Sequence, residues 1–341
     1  MRAIRIEQPN QVKTVDLPVP HPARDELLIK VMASGICGTD IHILRGEYLG
    51  DYPVIPGHEF SGVVEQVGDG VTRFQVGDRV AVEPNIACDN CYNCLHNRHN
   101  FCLNWQAIGV TRPGGMAQYV TAPEKSVFAI GDLPFEHGAF VEPLSCVLHG
   151  IERTQIRLAD RVAILGAGPI GILILQTVRL QGAVQVTVVE KNPARAELAT
   201  ACGAHRCLTH PDALEEGVLK ESVLKQGGYD VVIDATGVIP LMARTIDFAR
   251  HGGTVLLFGV PPAGQRMELE AFEIFRKGLT VLSSFTSVRN SYQAVALLQS
   301  KRIEVSSLIS HQLPLTEFEK GVRLIEEGLE DVKKVLILPQ L

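Results

Sequence analysis

The sequence predicts an α/β protein of two domains, one β-rich and one carrying a doubly wound parallel sheet. Three observations carry this. Residues 161–190 read as strand, glycine turn, helix and second strand, the opening of a βαβ unit. Residues 141–287 continue that strand–helix alternation, whereas residues 1–140 show short strands punctuated by Gly, Pro and Asp. At 341 residues the chain is long enough for two separate cores.

In chain order, Glu26-Leu-Leu-Ile-Lys-Val-Met, Gly62-Val-Val-Glu-Gln-Val and Val76-Gly-Asp-Arg-Val-Ala-Val mark strands and turns of the β-rich part. Tyr229-Asp-Val-Val-Ile-Asp and Gly253-Thr-Val-Leu-Leu-Phe are apolar strands that run into glycines, as strands of a buried parallel sheet do. Beyond residue 288, helical stretches at Tyr292 and Glu317 alternate with strands. The last strand, Lys334-Val-Leu-Ile-Leu, is expected to return to the first domain.

The turn Gly166-Ala-Gly168-Pro169-Ile170-Gly171 follows the apolar strand Arg161-Val-Ala-Ile-Leu and opens a helix. Gly166 permits the tight turn, Gly168 admits a pyrophosphate to the backbone, and Gly171 allows close helix–strand packing. The helix N-terminus then offers free N–H groups and partial positive charge to phosphates. A glycine turn alone is common in α/β proteins. Here a second strand ends at Glu190, near the ~20-residue spacing expected for a carboxylate on the adenosine ribose. That carboxylate favours NAD over NADP, because it would repel a 2′-phosphate; Lys191 and Arg195 close behind it temper the preference.

Composition narrows the class. The chain is 46% hydrophobic with a formal charge of −6, and it has no basic cluster. No footprint for nucleic acid or an anionic membrane is expected. The first residues lack an apolar core of signal-peptide length, and the most apolar run is broken by glycines and a proline. A cytoplasmic protein is therefore expected, with its eight cysteines as thiols or metal ligands rather than disulfides.

Four of those cysteines, Cys88, Cys91, Cys94 and Cys102, have Cys-x2-Cys-x2-Cys-x7-Cys spacing, with turn-forming pairs between. Four thiolates without room for water describe a closed, tetrahedral structural zinc. An iron–sulfur cluster uses related spacing, but the proline after its last cysteine is missing and the fourth interval is longer. A second set is dispersed: Cys37, Thr39, Asp40 and His42; His58 and Glu59; and Glu142. Each has a bland reading alone, as a buried thiol, a core histidine or a surface carboxylate.

Together with the glycine turn and the four-cysteine lobe, these motifs resemble the zinc-dependent medium-chain alcohol dehydrogenases, in the sorbitol (polyol) and threonine dehydrogenase branch. The similarity runs nearly full length, through Gly-Ile-Cys37-Gly-Thr-Asp, Gly-His58-Glu59, the four cysteines, Glu142-Pro143 and Gly-Ala-Gly-Pro-Ile-Gly171. It implies a GroES-like catalytic domain from 1–140 and 288–341, with a Rossmann NAD-binding domain at 141–287. It implies a catalytic zinc held by Cys37, His58 and an acidic residue, beside the structural zinc. Glu59 is expected as third ligand, with Glu142 holding a zinc-bound water or exchanging in. Two carboxylates at once would leave zinc, thiolate and neutral histidine at −1 and oppose alkoxide formation.

The resemblance also implies a proton path through Thr39 and His42, and an orienting role for Asp40 towards His58. The reaction implied is reversible oxidation of a secondary alcohol by NAD⁺. Zinc would lower the alcohol pKa from ~16 towards ~7 as a Lewis acid, and hydride would pass to the nicotinamide. Gly259, Val260, Ser284 and Thr286 are expected beside that ring. Where sorbitol dehydrogenases have a pocket tyrosine this chain has Ile43, and Ser284-Phe-Thr286 replaces an arginine–tyrosine pair, so sorbitol itself is in doubt. Arg45, Glu47, Tyr48, Trp105 and Arg112 are candidates for a replacement pocket, with Arg45 or Arg112 able to hold a carboxylate or phosphate. Threonine, a sugar acid or a polyol phosphate are the alternatives to a polyol. A non-enzymatic family member is disfavoured, because every ligand and relay position carries a competent residue. By resemblance the protein is a homodimer or homotetramer, and the edge strand Gly278-Leu-Thr-Val-Leu-Ser offers open backbone groups for pairing.

Overall fold

A computed structural model describes residues 1–214 and 227–341. The chain forms two compact units, Met1–Ser145 with Thr286–Leu341, and Cys146–Phe285. Its first crossing lies inside the helix Val141–Thr154. The second lies beside Thr286, a β-branched residue held at φ 52°, where such side chains are rare.

The first unit is built on a seven-stranded sheet. Its order is Ile309–Leu313, Lys334–Ile337, Glu26–Gly35, Glu59–Val67, Arg79–Val82 and Val127–Ala129, with Tyr119–Pro123 also pairing Glu26–Gly35. Glu26–Gly35 is buried along most of its length because apolar clusters lie against it: Leu27, Ile29 and Val31 pack with Phe60, Val64, Val80, Val82 and Val120. Burial of such side chains contributes ~1.5–3 kcal/mol each, which anchors the strand end that leads to Cys37. That end has a definite register. Gly35 opposes Glu59 on one side and Leu336 on the other.

The second unit holds a six-stranded sheet in which every pairing is parallel. The strands lie in the order Arg206–Leu208, Gln185–Val189, Arg161–Leu165, Tyr229–Asp234, Ala249–Leu257, Thr280–Ser283. Counted along this unit, that is 3-2-1-4-5-6, the Rossmann order, with its switch point beside Arg161–Leu165. The predicted α/β class with a doubly wound sheet is the observed one. The central strands are buried on both faces, which explains their unbroken apolar runs. No helix among the described residues is long and apolar enough to cross a membrane.

Candidate metal centre and dinucleotide turn

Cys37 caps the N-terminus of the helix Gly38–Arg45, just past the end of the central strand. His58 and Glu59 open the neighbouring strand segment and are 6% and 1% exposed. Gly57 takes φ 96°, and a Cβ there would meet the Met116 backbone nitrogen at 2.6 Å, so the turn presenting His58 requires glycine. Cys37, His58 and Glu59 each bring one ligand atom to within 4.8 Å of the others. Asp40, fully buried, joins the two segments: its carboxylate accepts from the Cys37 N–H at 2.8 Å and from the Gly57 N–H at 3.0 Å. Its Oδ1 also lies 3.4 Å from His58 Nδ1. Burial opposes charge on His58, but Asp40 and Cys37 outweigh it and hold the imidazole well above the usual histidine value. His58 and Glu59 are buried and Cys37 is half-buried, and the sulfur, nitrogen and oxygen atoms of the set suit zinc.

Two observations refine the acidic ligand. Glu142 is buried in the first turn of Val141–Thr154, and its carbonyl accepts the Ser145 hydroxyl at 2.6 Å. It is not one of the three residues whose ligand atoms converge. Glu59 is ion-paired with Lys334, the first residue of the last strand. Burial opposes the ammonium charge, yet Glu59 and Cys37 prevail and raise the lysine above its ordinary value. Sequence reasoning missed Lys334. Its one signal was a lysine opening the otherwise apolar run Lys334-Val-Leu-Ile, buried throughout.

Thr39 and His42 lie three residues apart on the helix Gly38–Arg45, both half-buried and thus on neighbouring positions of its surface. His42 Nδ1 contacts Glu47 Oε2 at 2.9 Å. The residues considered for a substrate pocket are largely committed elsewhere. Arg45 forms a two-oxygen pair with Glu326 and also donates to Asn10. Arg112 donates to Glu26 at 2.6 Å, and Trp105 Nε1 donates to Asn85 at 3.1 Å. Ile43 is fully buried in the core cluster with Ile36 and Phe318, and Tyr48 packs against that cluster. Neither arginine presents a free fork to an anionic substrate.

Cys88, Cys91, Cys94 and Cys102 form the second convergent set. Local N–H groups point at the sulfurs: Cys88 N–H to Cys102 Sγ at 3.2 Å, Asn104 N–H to the same sulfur at 3.3 Å, and Leu103 N–H to Cys91 Sγ at 3.4 Å. The backbone N–H of Asn90 helps draw Cys88 down to about 6, whereas burial pushes Cys94 up to about 12. One thiol is ready to ionise and another needs a cation to do so, as in a closed zinc site.

In the second unit, Gly166 takes φ 100°, and a Cβ there would lie 2.8 Å from Thr236 Cγ2. Gly171 is more confined: a Cβ would lie 2.1 Å from the Gly166 carbonyl oxygen. Gly168, the N-cap of the helix Pro169–Leu180, faces open space. Pro169 stands in the first turn, where its missing N–H costs nothing, and Ile170 follows it. Glu190, at the end of Gln185–Val189, is buried and accepts from the Ala167 N–H at 2.9 Å and the Asn192 N–H at 2.8 Å. The carboxylate is thus bound to the glycine turn itself. Arg195 lies in the next helix, its N–H capped by Asn192 Oδ1 at 3.1 Å. Gly259 packs on the turn after Tyr229–Asp234, where a Cβ would meet the Gly237 nitrogen at 2.0 Å; Val260 beside it is half exposed. The Ser284 and Thr286 hydroxyls are buried and find no hydrogen-bond partner among the described residues.

With this geometry established, comparison with known proteins defines the class. Residues 23–132 match the alcohol dehydrogenase GroES-like domain family, and residues 169–300 match the zinc-binding dehydrogenase family. D-altritol 5-dehydrogenase of Agrobacterium fabrum is 35% identical over 322 residues, 93% of this chain and 94% of that protein. D-arabinitol dehydrogenase 1 of Uromyces fabae is 32% identical over 94% of this chain and 93% of its own. A solved Sinorhizobium meliloti structure, described as a zinc-binding dehydrogenase and bound to NADP, is similar with a TM-score of 0.93. It is 38% identical and is covered over 99% of both chains. The chain belongs to the zinc-dependent medium-chain alcohol dehydrogenase family, in the branch that contains polyol and threonine dehydrogenases. It is a zinc-dependent dehydrogenase that uses a nicotinamide cofactor.

Proposed function

We propose that the protein reversibly oxidises a secondary alcohol of a polyol or sugar-derived substrate to the ketone, with NAD⁺ as hydride acceptor. The observation that carries this reading is the convergence of Cys37, His58 and Glu59 in one largely buried set tied together by Asp40. The family and its altritol and arabinitol relatives support the substrate class. A plain polyol is favoured over a phosphorylated or acidic one because Arg45 and Arg112 are already paired with carboxylates.

In this reading the catalytic unit is Met1–Ser145 with Thr286–Leu341 and the cofactor unit is Cys146–Phe285, a few residues from the expected bounds of 1–140 with 288–341 and 141–287. Zinc would be held by Cys37, His58 and Glu59, and a second ion by Cys88, Cys91, Cys94 and Cys102. Bound at the first set, zinc supplies Lewis acidity towards the substrate hydroxyl. The chain's own residues do the rest. Thr39 takes the hydroxyl proton, His42 passes it to solvent beside Glu47, Asp40 orients His58, and Glu142 assists from the first turn of its helix. Gly166, Gly168, Pro169, Ile170 and Gly171 receive the pyrophosphate, with Arg195 near the adenosine end. Gly259, Val260, Ser284 and Thr286 flank the nicotinamide. Glu190, fixed by two backbone N–H groups, binds the ribose diol and disfavours a 2′-phosphate. Eight cysteines read as thiols or metal ligands suit a reducing, cytoplasmic setting, and the edge strand Thr280–Ser283 suits a homodimer or homotetramer.

The test is reduced-nicotinamide formation across polyols, sugar acids, polyol phosphates and L-threonine, with NAD⁺ and NADP⁺ in parallel and zinc measured on the same preparation. Turnover of one polyol with NAD⁺, abolished by Cys37→Ser, is expected. Turnover of threonine or a sugar acid alone overturns the substrate class. A preference for NADP⁺ overturns the role given to Glu190.

A further inference from the structure

The side chain of Lys334 is 8% exposed, and its charge is neutralised by Glu59 from two strands away. The last strand and the Glu59 strand flank Glu26–Gly35 on opposite sides, so the lysine must cross the strand between them. It crosses at Gly35. A Cβ at Gly35 would lie 2.4 Å from Glu59 Oε2 and 2.7 Å from Lys334 Cε, so any other residue would displace the pair. The absent side chain is therefore the passage through which the ammonium reaches the carboxylate.

The formal charges explain why such a passage exists. Half-buried Cys37 as thiolate and the buried Asp40 and Glu59 place three anions in one region, and a divalent cation offsets only two of them. Lys334 completes neutrality. An ammonium fixed beside a ligand carboxylate also repels the metal and competes with it for carboxylate electrons.

We propose that Lys334, admitted by Gly35, is a positioning residue that holds one oxygen of Glu59, leaving Glu59 a weak, single-oxygen ligand for zinc. The proposal rests on the reading of Cys37, His58 and Glu59 as the zinc site. Without Lys334, both carboxylate oxygens are available and the repelling charge is gone, so the metal is held more firmly. A residue that merely supported the fold would do the opposite: its loss would loosen the site.

The experiment follows zinc release to a chelator from the full chain, with visible absorption of the cobalt-substituted protein as second readout. Wild type is expected to hold about two zincs, one per site type, with the Cys37→Ser variant identifying the phase of the first set. In Lys334→Met that phase should slow by about tenfold, the size of effect usual for partners of metal ligands but of opposite sign because this partner is a cation, and the cobalt bands should shift. Lys334→Arg, which keeps the charge, should stay near wild type. Should Lys334→Met fail to fold, Lys334→Gln carries the same expectation and the same refutation. Unchanged or faster release with an unaltered cobalt spectrum overturns the role of Lys334 alone. A wild-type count that Cys37→Ser does not lower overturns the zinc site itself, and the proposal with it.

Discussion

Replacing Asp40 by asparagine changes one buried carboxylate oxygen into an amide NH2 with almost no change of shape. Both oxygens are in use, one on the Cys37 N–H at 2.8 Å and one on the Gly57 N–H at 3.0 Å. An amide accepts through one atom only, so one backbone N–H must face another donor. The lost charge-assisted bond is worth ~1.5–3 kcal/mol, and the stranded buried donor costs a further ~1–3 kcal/mol. About 2.5–6 kcal/mol should therefore leave the first unit, which at ~2–4 °C per kcal/mol for a unit of this size lowers Tm by roughly 5–24 °C. The two segments tied by Asp40 carry the proposed zinc ligands Cys37, His58 and Glu59, so zinc affinity at that set should also fall ~10–100-fold. Calorimetry of holo and chelated protein reads both effects. A Tm within ~2 °C of wild type, with zinc affinity unchanged, would show that Asp40 does not hold the two segments together.

Three further outcomes follow from single contacts. Gly171→Ala places a methyl 2.1 Å from the Gly166 carbonyl, so helix and strand must separate, and affinity for the nicotinamide cofactor by fluorescence titration should fall at least about tenfold. In Asp230, burial opposes the charge while Arg161 and Arg250 hold its carboxyl below 3.8, the ordinary aspartate value. Its contribution to stability is therefore complete above the unfolded value and lost as pH falls through the lower native one. Urea unfolding of Asp230→Asn should show a deficit at pH 7 that shrinks on acidification below ~4. Chelation should loosen the four-cysteine lobe, because Cys94, pushed up to about 12 by burial, returns to a neutral thiol without its cation. Thiol labelling of Cys88 to Cys102 should rise on chelation, and equal labelling with and without chelator would remove that lobe as a metal site.

What could be read from the sequence depended on separation along the chain. The glycine turn and the four cysteines are local patterns, in which spacing alone dictates what meets what. Gly171 needs its missing Cβ because of Gly166, five residues earlier, and the lobe closes within residues 88–102. Cys37 and His58 are further apart, but each sits in a motif of its own, so their convergence was legible by resemblance. The doubly wound parallel sheet followed from alternating strands and helices, and its Rossmann character from the resemblance.

Contacts set by sheet register were not legible. Arg45 reads as a loop cation facing a pocket until the helix Phe318–Glu327 brings Glu326 against it, and Arg112 until the strand at Glu26 does the same. Ile43 sits at a position that resemblance gives to a pocket residue, yet it is buried on the helix face packed against Phe318 and Ile36. Lys334 is the sharpest case. A charge argument limited to the ligands nearby in sequence finds a second carboxylate intolerable, because it omits a cation that arrives from the last strand. Once Leu336 is in register with Gly35, and Gly35 with Glu59, the ammonium belongs to the site and the balance of charge changes. On the proposed role of Lys334, the charge at the metal set depends partly on a residue that no local motif contains. The choice between Glu59 and Glu142 as ligand is governed as much by the strand order of the sheet as by either glutamate.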